Sequence, residues 1–190
     1  MKSDRPYDIV IYGATGYTGR LVAEYLAHHY QGKGPKWAPK WAMAGRSLAK
    51  LEEVRDLIGA PADTPLIEAN SDDPASMAAL AEGARVILTT VGPYQLYGEP
   101  LVKACVAAGT DYADLCGEPG WMREMIDRYD AAAKASGARI ALGTTGTSAE
   151  NPWAGSAGRL ASVASATRAA CSGDIGPPRA VARKRPMVPR

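Results

Sequence analysis

Along the first 142 residues, short apolar runs alternate with longer stretches in which apolar positions recur every three or four residues. The runs at 8–12, 41–44, 65–69, 85–91, 112–115 and 139–142 predict six strands. Several are apolar on both faces, as strands buried in a parallel sheet tend to be. The stretches between them predict helices. The clearest is "GWMREMIDRYDAAAKASG", where Met122, Met125, Ile126, Tyr129 and Ala133 fall on one helical face and Gly137 stands at the position of a C-terminal cap. Asp73 followed by Pro74 reads as an N-cap and first helical residue, and Ser47 is placed to cap a helix carrying Leu51, Val54 and Leu57. This alternation predicts the α/β class, specifically a Rossmann-type doubly wound parallel sheet of about six strands.

The pattern stops at residue 142. From 143 to 190 the chain is rich in Ala, Ser, Gly, Thr and Pro, with Leu160 as its one leucine and no sustained period. Seven basic residues stand there against Glu150 and Asp174, whereas residues 1–142 carry fifteen basic and eighteen acidic residues. The division is therefore a folded unit over 1–142 and a basic C-terminal tail over 143–190, which is expected to be poorly ordered. A tail such as "RAVARKRPMVPR" can grip nucleic acid or an anionic membrane surface, but it lacks interleaved aromatics and an apolar helical face. A solvated end is the competing reading.

For the whole chain, 46% apolar and 22% charged residues are globular values, and a formal net charge of +2 gives no reason to expect nucleic acid as a partner. The apolar runs are far too short for a membrane span, and the start "MKSDRPYD" has no apolar segment behind it, so a cytoplasmic protein is expected. Cys105, Cys116 and Cys171 are an odd number without metal-ligand spacing and read as core thiols. No metal site is expected.

"DIVIYGATGYTGRL" carries the first chemistry. Gly13, Gly16 and Gly19 are spaced G-x-x-G-x-x-G at the junction of the first strand and the first helix. Gly13 allows a sharp turn off the strand, Gly16 a close approach to a pyrophosphate, and Gly19 close packing of helix on strand. The N–H groups of about residues 15–18, at the positive end of the helix dipole, then form an anion site to which the Thr15 and Thr18 hydroxyls can add. The motif alone would also suit a bare turn. Its place between a buried strand and an amphipathic helix favours a dinucleotide.

Proteins that bind NAD place an acid about twenty residues beyond such glycines, to hold the ribose hydroxyls. Here no Asp or Glu lies between Glu24 and Glu52, and the second strand ends at Arg46 and Ser47, with Lys40 and Lys50 nearby. A guanidinium offers a permanent charge and paired donors to a 2′-phosphate, and Ser47 a hydroxyl or the N–H groups of a helix start. The plainer alternative is a surface arginine and a simple N-cap. Asn70, Ser71 and Asp72 follow the third strand, where the adenine edge would lie, though a turn-forming and capping role before Pro74 suits them equally.

The fourth strand ends in "TTVGPYQLYGEP", across the switch point from the glycine turn. Gly92 permits close backbone approach there, while Tyr94 and Tyr97 can face the nicotinamide or a substrate, or simply pack. In "DLCGEPGW", Cys116 and Glu118 stand at the carboxyl edge of the sheet, and Glu118 is alternatively a complement to the N-terminus of the following helix. The two histidines, His28 and His29, sit at the far end of the first helix, so no Ser/His/Asp or Cys/His constellation suggests itself.

Taken together, "YDIVIYGATGYTGRLVAEYLA", "WAMAGRSLAKL", "VILTTVGPYQLYGEPLVKACVAAGTDYADLCGE" and "GARIAL" resemble the NADP-binding domain of saccharopine-dehydrogenase-like oxidoreductases, within that group most closely the trans-acting enoyl reductases. The resemblance runs from about residue 7 to residue 142. It implies a domain that uses NADPH and is attached to a larger C-terminal part. It also implies members that reduce an enoyl double bond on small-molecule or carrier-bound chains made by polyketide synthases for lipid biosynthesis. A homodimer and a location peripheral to the membrane are further implications. Carried over by position, the cofactor residues are Gly13, Thr15, Gly16, Tyr17, Thr18, Gly19, Arg46, Ser47 and Gly92, and no catalytic side chain transfers. Where the family continues into a "CGFDSIPSD"-like segment, this chain reads "GTTGTSAENPWAGSAGRL". That departure is what a truncated or frame-shifted reading would give, and it leaves a cofactor-binding module without turnover as the alternative function.

Overall fold

The computed structural model describes residues 4–30 and 38–143. The tail expected to be poorly ordered falls almost wholly on 144–190 and lies outside the described residues, as does Cys171. The elements run β1 (Tyr7–Tyr12), α1 (Tyr17–Tyr30), β2 (Trp41–Gly45), α2 (Leu48–Leu57), β3 (Leu66–Glu68), α3 (Pro74–Gly83), β4 (Ala84–Thr89), α4 (Tyr94–Ala108), β5 (Asp111–Ala113), α5 (Pro119–Ser136) and β6 (Ile140–Ala141). All six strands stand where the apolar runs predict them, with no end shifted by more than two residues.

The strands form one parallel sheet in the order β3-β2-β1-β4-β5-β6. From β1 the chain moves outward to β2 and β3, returns to pair β4 on the other side of β1, and continues to β5 and β6. Ile9 aligns with Trp41 on one side and with Val86 on the other. The order reverses between β1 and β4, so α1 and α4 leave the sheet on opposite faces and a crevice opens between their N-terminal ends.

Alternation along β1 divides the core. Ile9 and Ile11 pack with Ala23, Leu26, Met43 and Leu51 beneath α1 and α2. Val10 and Tyr12 join the larger cluster with Met77, Leu101, Val102, Tyr112 and Met125 beneath α3, α4 and α5. Burial on both faces explains the continuous apolar runs in β1, β2 and β4. Local capping follows the sequence signals: Asp73 accepts the Ala75 N–H at 2.9 Å, Pro74 opens α3, and Gly137 ends α5 with a left-handed φ of 75°. One apolar position departs from expectation. Leu57 is 69% exposed, because α2 ends there and the chain turns at Gly59 before reaching the sheet again, while Leu51 is fully buried.

Candidate functional site

The glycine turn is held by backbone on three sides. Both Gly13 and Ala14 donate their N–H groups to the Ala44 carbonyl of β2, at 2.9 and 3.1 Å. Gly13 has a φ of +90°, and a side chain there would begin 2.7 Å from Val91 Cγ2. At Gly19 a Cβ would stand 2.2 Å from the Gly13 carbonyl oxygen, so the first turn of α1 rests directly on the turn that precedes it. The packing role read for Gly19 is thus met by Gly13 itself. The anion site needs one correction: the Gly16 N–H is occupied, closing the turn on the Gly13 carbonyl at 2.9 Å. The first bond of α1 runs from Arg20 N–H to the Gly16 carbonyl, so the N–H groups of Thr15, Tyr17 and Thr18 have no acceptor among the described residues.

At the end of β2, Arg46 is exposed and makes no ion pair or hydrogen bond among the described residues. Arg55, Arg85, Arg123, Arg128 and Arg139 each hold a carboxylate. Ser47 behaves as the plainer reading has it: it is the N-cap of α2, its hydroxyl 3.4 Å from the Lys50 N–H. Facing Arg46 from β1 and the β3–α3 loop are Tyr12 and Ser71, both buried. Burial pushes the Tyr12 phenol above its ordinary pKa, against hydrogen bonding to Ser71 and the nearby Arg46 charge. Asn70 takes the turn-forming role, its Oδ1 accepting the Asp72 N–H at 3.2 Å.

At the end of β4, the Thr90 hydroxyl donates to the Gly13 carbonyl at 3.3 Å and ties the two strand ends together. The chain then passes Gly92 and a cis Gly92–Pro93 peptide into α4. Tyr94 and Tyr97 part company here. The Tyr94 ring is buried against Trp121, with ring centres 5.6 Å apart, its hydroxyl donates to the Thr89 carbonyl, and burial drives its pKa well up. Tyr97 is half-buried and borders the open crevice.

Glu118 departs from its expected role. It precedes α5 without capping it; its carboxylate instead accepts the N–H groups of Tyr94 and Gln95, at 2.8 and 2.9 Å, and so caps α4. Sequence separation hid this cap, because the two helix starts adjoin only once β4 and β5 are paired. Cys116 is buried, its thiol pushed up to about 11 by desolvation. Behind it, buried Asp114 accepts the N–H groups of Cys116 and Gly143 and the Tyr112 hydroxyl. Desolvation raises the Asp114 pKa against those bonds.

These pieces enclose a cleft of about 220 Å³ running from Arg46 and Gly45, past Gly13, Thr15 and Gly16, to Thr90, Val91, Gly92 and Tyr97. Of the residues expected in the site, Gly13, Thr15, Gly16, Arg46 and Gly92 line it. Ser47 and Gly19 do not line it: Ser47 caps α2, and Gly19 packs on the Gly13 carbonyl. Tyr17, Thr18 and Asn70 do not line it, the Tyr17 ring being 74% exposed with the Arg20 guanidinium 5.9 Å from its centre. Ser71, one of the three residues expected at the adenine edge, does line it, whereas Tyr12, Gly45, Thr90 and Val91 were missed. Tyr12 carried a readable signal, since it ends β1 on the same face as Val10 directly before the turn.

The cleft fits a phosphorylated dinucleotide. It has at its centre a turn with backbone N–H groups that lack an acceptor among the described residues, and just beyond β2 a guanidinium without a carboxylate partner among the described residues, both suited to phosphate. Among the described residues no group of His, Cys, Asp and Glu could hold a metal ion, and no helix is long and apolar enough to cross a membrane.

Comparison with known proteins agrees. The family model of the saccharopine dehydrogenase NADP-binding domain matches residues 9–140. Over 141 residues the chain is 50% identical to a trans-acting enoyl reductase of Mycobacterium tuberculosis, an overlap that covers 74% of this chain and 32% of that one. A trans-acting enoyl reductase of Mycobacterium leprae is also 50% identical, over 139 residues, covering 73% of this chain and 32% of its own length. The chain thus spans about a third of the length of these curated relatives. Among solved structures, the saccharopine dehydrogenase (L-Glu forming) of Saccharomyces cerevisiae superposes with a TM-score of 0.54 at 14% identity, over 72% of this chain and 27% of that one, a likeness of fold. The chain therefore belongs to the saccharopine dehydrogenase NADP-binding domain family, and the cofactor of its Rossmann fold is NADP.

Proposed function

We propose that residues 1–142 form the cofactor-binding unit of an NADPH-dependent enoyl reductase, with 143–190 as a basic tail outside it. The observation that carries this reading is Arg46: a guanidinium without a carboxylate partner among the described residues, at the end of β2, where a domain reading NAD would present an acid. Identity of 50% to trans-acting enoyl reductases supports the reaction class.

In this reading Thr15, Tyr17 and Thr18 donate backbone N–H groups to the pyrophosphate at the start of α1, with Gly16 leaving room for it. Arg46 pairs with the 2′-phosphate, and the N-terminal end of α2, which Ser47 caps, adds its dipole. Ser71 and Tyr12 floor the adenosine side, and the Gly92 turn supports the nicotinamide side. NADPH held by these residues would supply hydride for the double bond; the chain supplies position and electrostatics. The acceptor is an enoyl group, free or carried as a thioester. The partner is a polyketide synthase and the setting the cytoplasm or its membrane face, with two copies of the chain associating as a homodimer.

A second reading, a module that binds NADP without turnover, is favoured by the open cleft. At about 220 Å³ it is smaller than the roughly 300–1,000 Å³ of sites that enclose a ligand, so much of the cofactor would face solvent. One assay separates the two. The 190-residue chain is mixed with NADPH and an enoyl thioester, and NADPH absorbance and product are followed together. Mole-for-mole NADPH loss and saturated product support the reductase; NADPH binding with no turnover assigns the module.

A further inference from the structure

Two tyrosines stand on the first turn of α4, and the structure separates their roles. Tyr94 is consumed by the fold: its ring is buried in the core against Trp121, its hydroxyl is bonded to the Thr89 carbonyl, and its N–H is held by Glu118. Tyr97, one turn on, is the opposite case. It is half-buried, it lines the cleft beside Thr90, Val91 and Gly92, and its hydroxyl has no hydrogen-bond partner among the described residues. It also stands at the far end of the cleft from Arg46, across the reversal of strand order between β1 and β4.

A dinucleotide laid along this cleft has one admissible direction if Arg46 takes the 2′-phosphate and the α1 N-terminus takes the pyrophosphate. The half beyond the pyrophosphate then arrives over the end of β4. We propose that Tyr97 is the side chain that meets the nicotinamide riboside half of NADPH, with its ring against that half and its hydroxyl hydrogen-bonded to it. Glu118 is the positioning residue behind it, because the cap on Tyr94 and Gln95 fixes the turn of α4 from which Tyr97 projects. The proposal rests on the NADP orientation described under the proposed function.

A ligand that lacks the half in question tests it. The full 190-residue chain and its Tyr97→Ala and Tyr97→Phe variants are titrated calorimetrically with NADPH and, separately, with adenosine 2′,5′-bisphosphate. With the ring contact and one hydrogen bond removed, Tyr97→Ala is expected to bind NADPH about tenfold more weakly and the bisphosphate within about twofold of the parent; Tyr97→Phe, keeping the ring, loses roughly threefold on NADPH alone. Equal losses on both probes, or none on either, overturn the proposal. Circular dichroism melts identify a variant that fails to fold, and the phenylalanine variant, which removes one oxygen, then decides. If the parent chain itself binds neither probe, the NADP orientation fails along with the assignment of Tyr97. If the bisphosphate binds normally and only the Tyr97 prediction fails, that orientation survives.

Discussion

Replacing Gly19 with alanine adds a single methyl group where the first turn of α1 meets the Gly13 carbonyl. The added Cβ would lie 2.2 Å from that oxygen, 2.8 Å from the carbonyl carbon and 2.8 Å from Thr90 Oγ1. An ordinary contact begins near 3.4 Å, so helix and turn must separate by about 1.2 Å. Neither side can yield as a flexible side chain would: the oxygen is backbone, the turn hangs by two bonds on the Ala44 carbonyl, and Thr90 is bonded into it. Overpacking of this kind costs roughly 1–3 kcal/mol. At about 3 °C per kcal/mol for a domain of this size, the melting temperature of Gly19→Ala should fall by roughly 3–10 °C. Because the same displacement moves the N–H groups of Thr15, Tyr17 and Thr18, NADPH affinity should drop about tenfold, the equivalent of one charge-assisted hydrogen bond. Thermal melts with and without NADPH measure both effects. A variant that melts and binds like the parent would refute the contact and the anion site built on it.

Other substitutions probe separate parts of the account. Glu118→Ala removes the acceptor for two α4 N–H groups and should destabilise the fold by about 1–2 kcal/mol in urea titrations, with Glu118→Gln recovering part of it; an unchanged midpoint would deny the cap. The Glu99 carboxyl is held below its ordinary pKa by the Arg128 guanidinium and then the Tyr129 hydroxyl, so its contribution is present above its unfolded pKa of about 4.3 and is lost as pH falls through the lower folded value. Since the pair is partly exposed, Glu99→Gln should cost under about 1 kcal/mol at pH 7 and nothing once the pH lies below the folded value. A deficit that persists in acid would contradict that linkage.

What the sequence made legible is what chain-local physics decides. The strands could be read because burial on both faces leaves unbroken apolar runs, and Gly13 because a left-handed turn at a strand end excludes side chains. Asp73, Pro74 and Gly137 are caps that act within a few residues of themselves. The cross-chain features were not legible. Glu118 caps a helix 24 residues upstream. Thr90 reaches back 77 residues to the Gly13 carbonyl. Which of Asn70, Ser71 and Asp72 faces Arg46 is settled only by the fold: it is Ser71, because the Asx turn at Asp72 consumes the Asn70 amide and leaves the serine turned inward. The exposure of Leu57 belongs to the same class, since helical periodicity cannot say where a helix stops relative to the sheet it covers.

The central proposal is that Arg46, just beyond β2 and without a carboxylate partner among the described residues, reads a 2′-phosphate. Titrating the parent chain and Arg46→Ala with NADPH and with NADH tests it most directly. The account predicts that the parent prefers NADPH and that the variant loses roughly 1–3 kcal/mol on NADPH, about 5- to 150-fold, with NADH nearly unchanged. Equal losses on both cofactors, or a parent chain that prefers NADH, would contradict it.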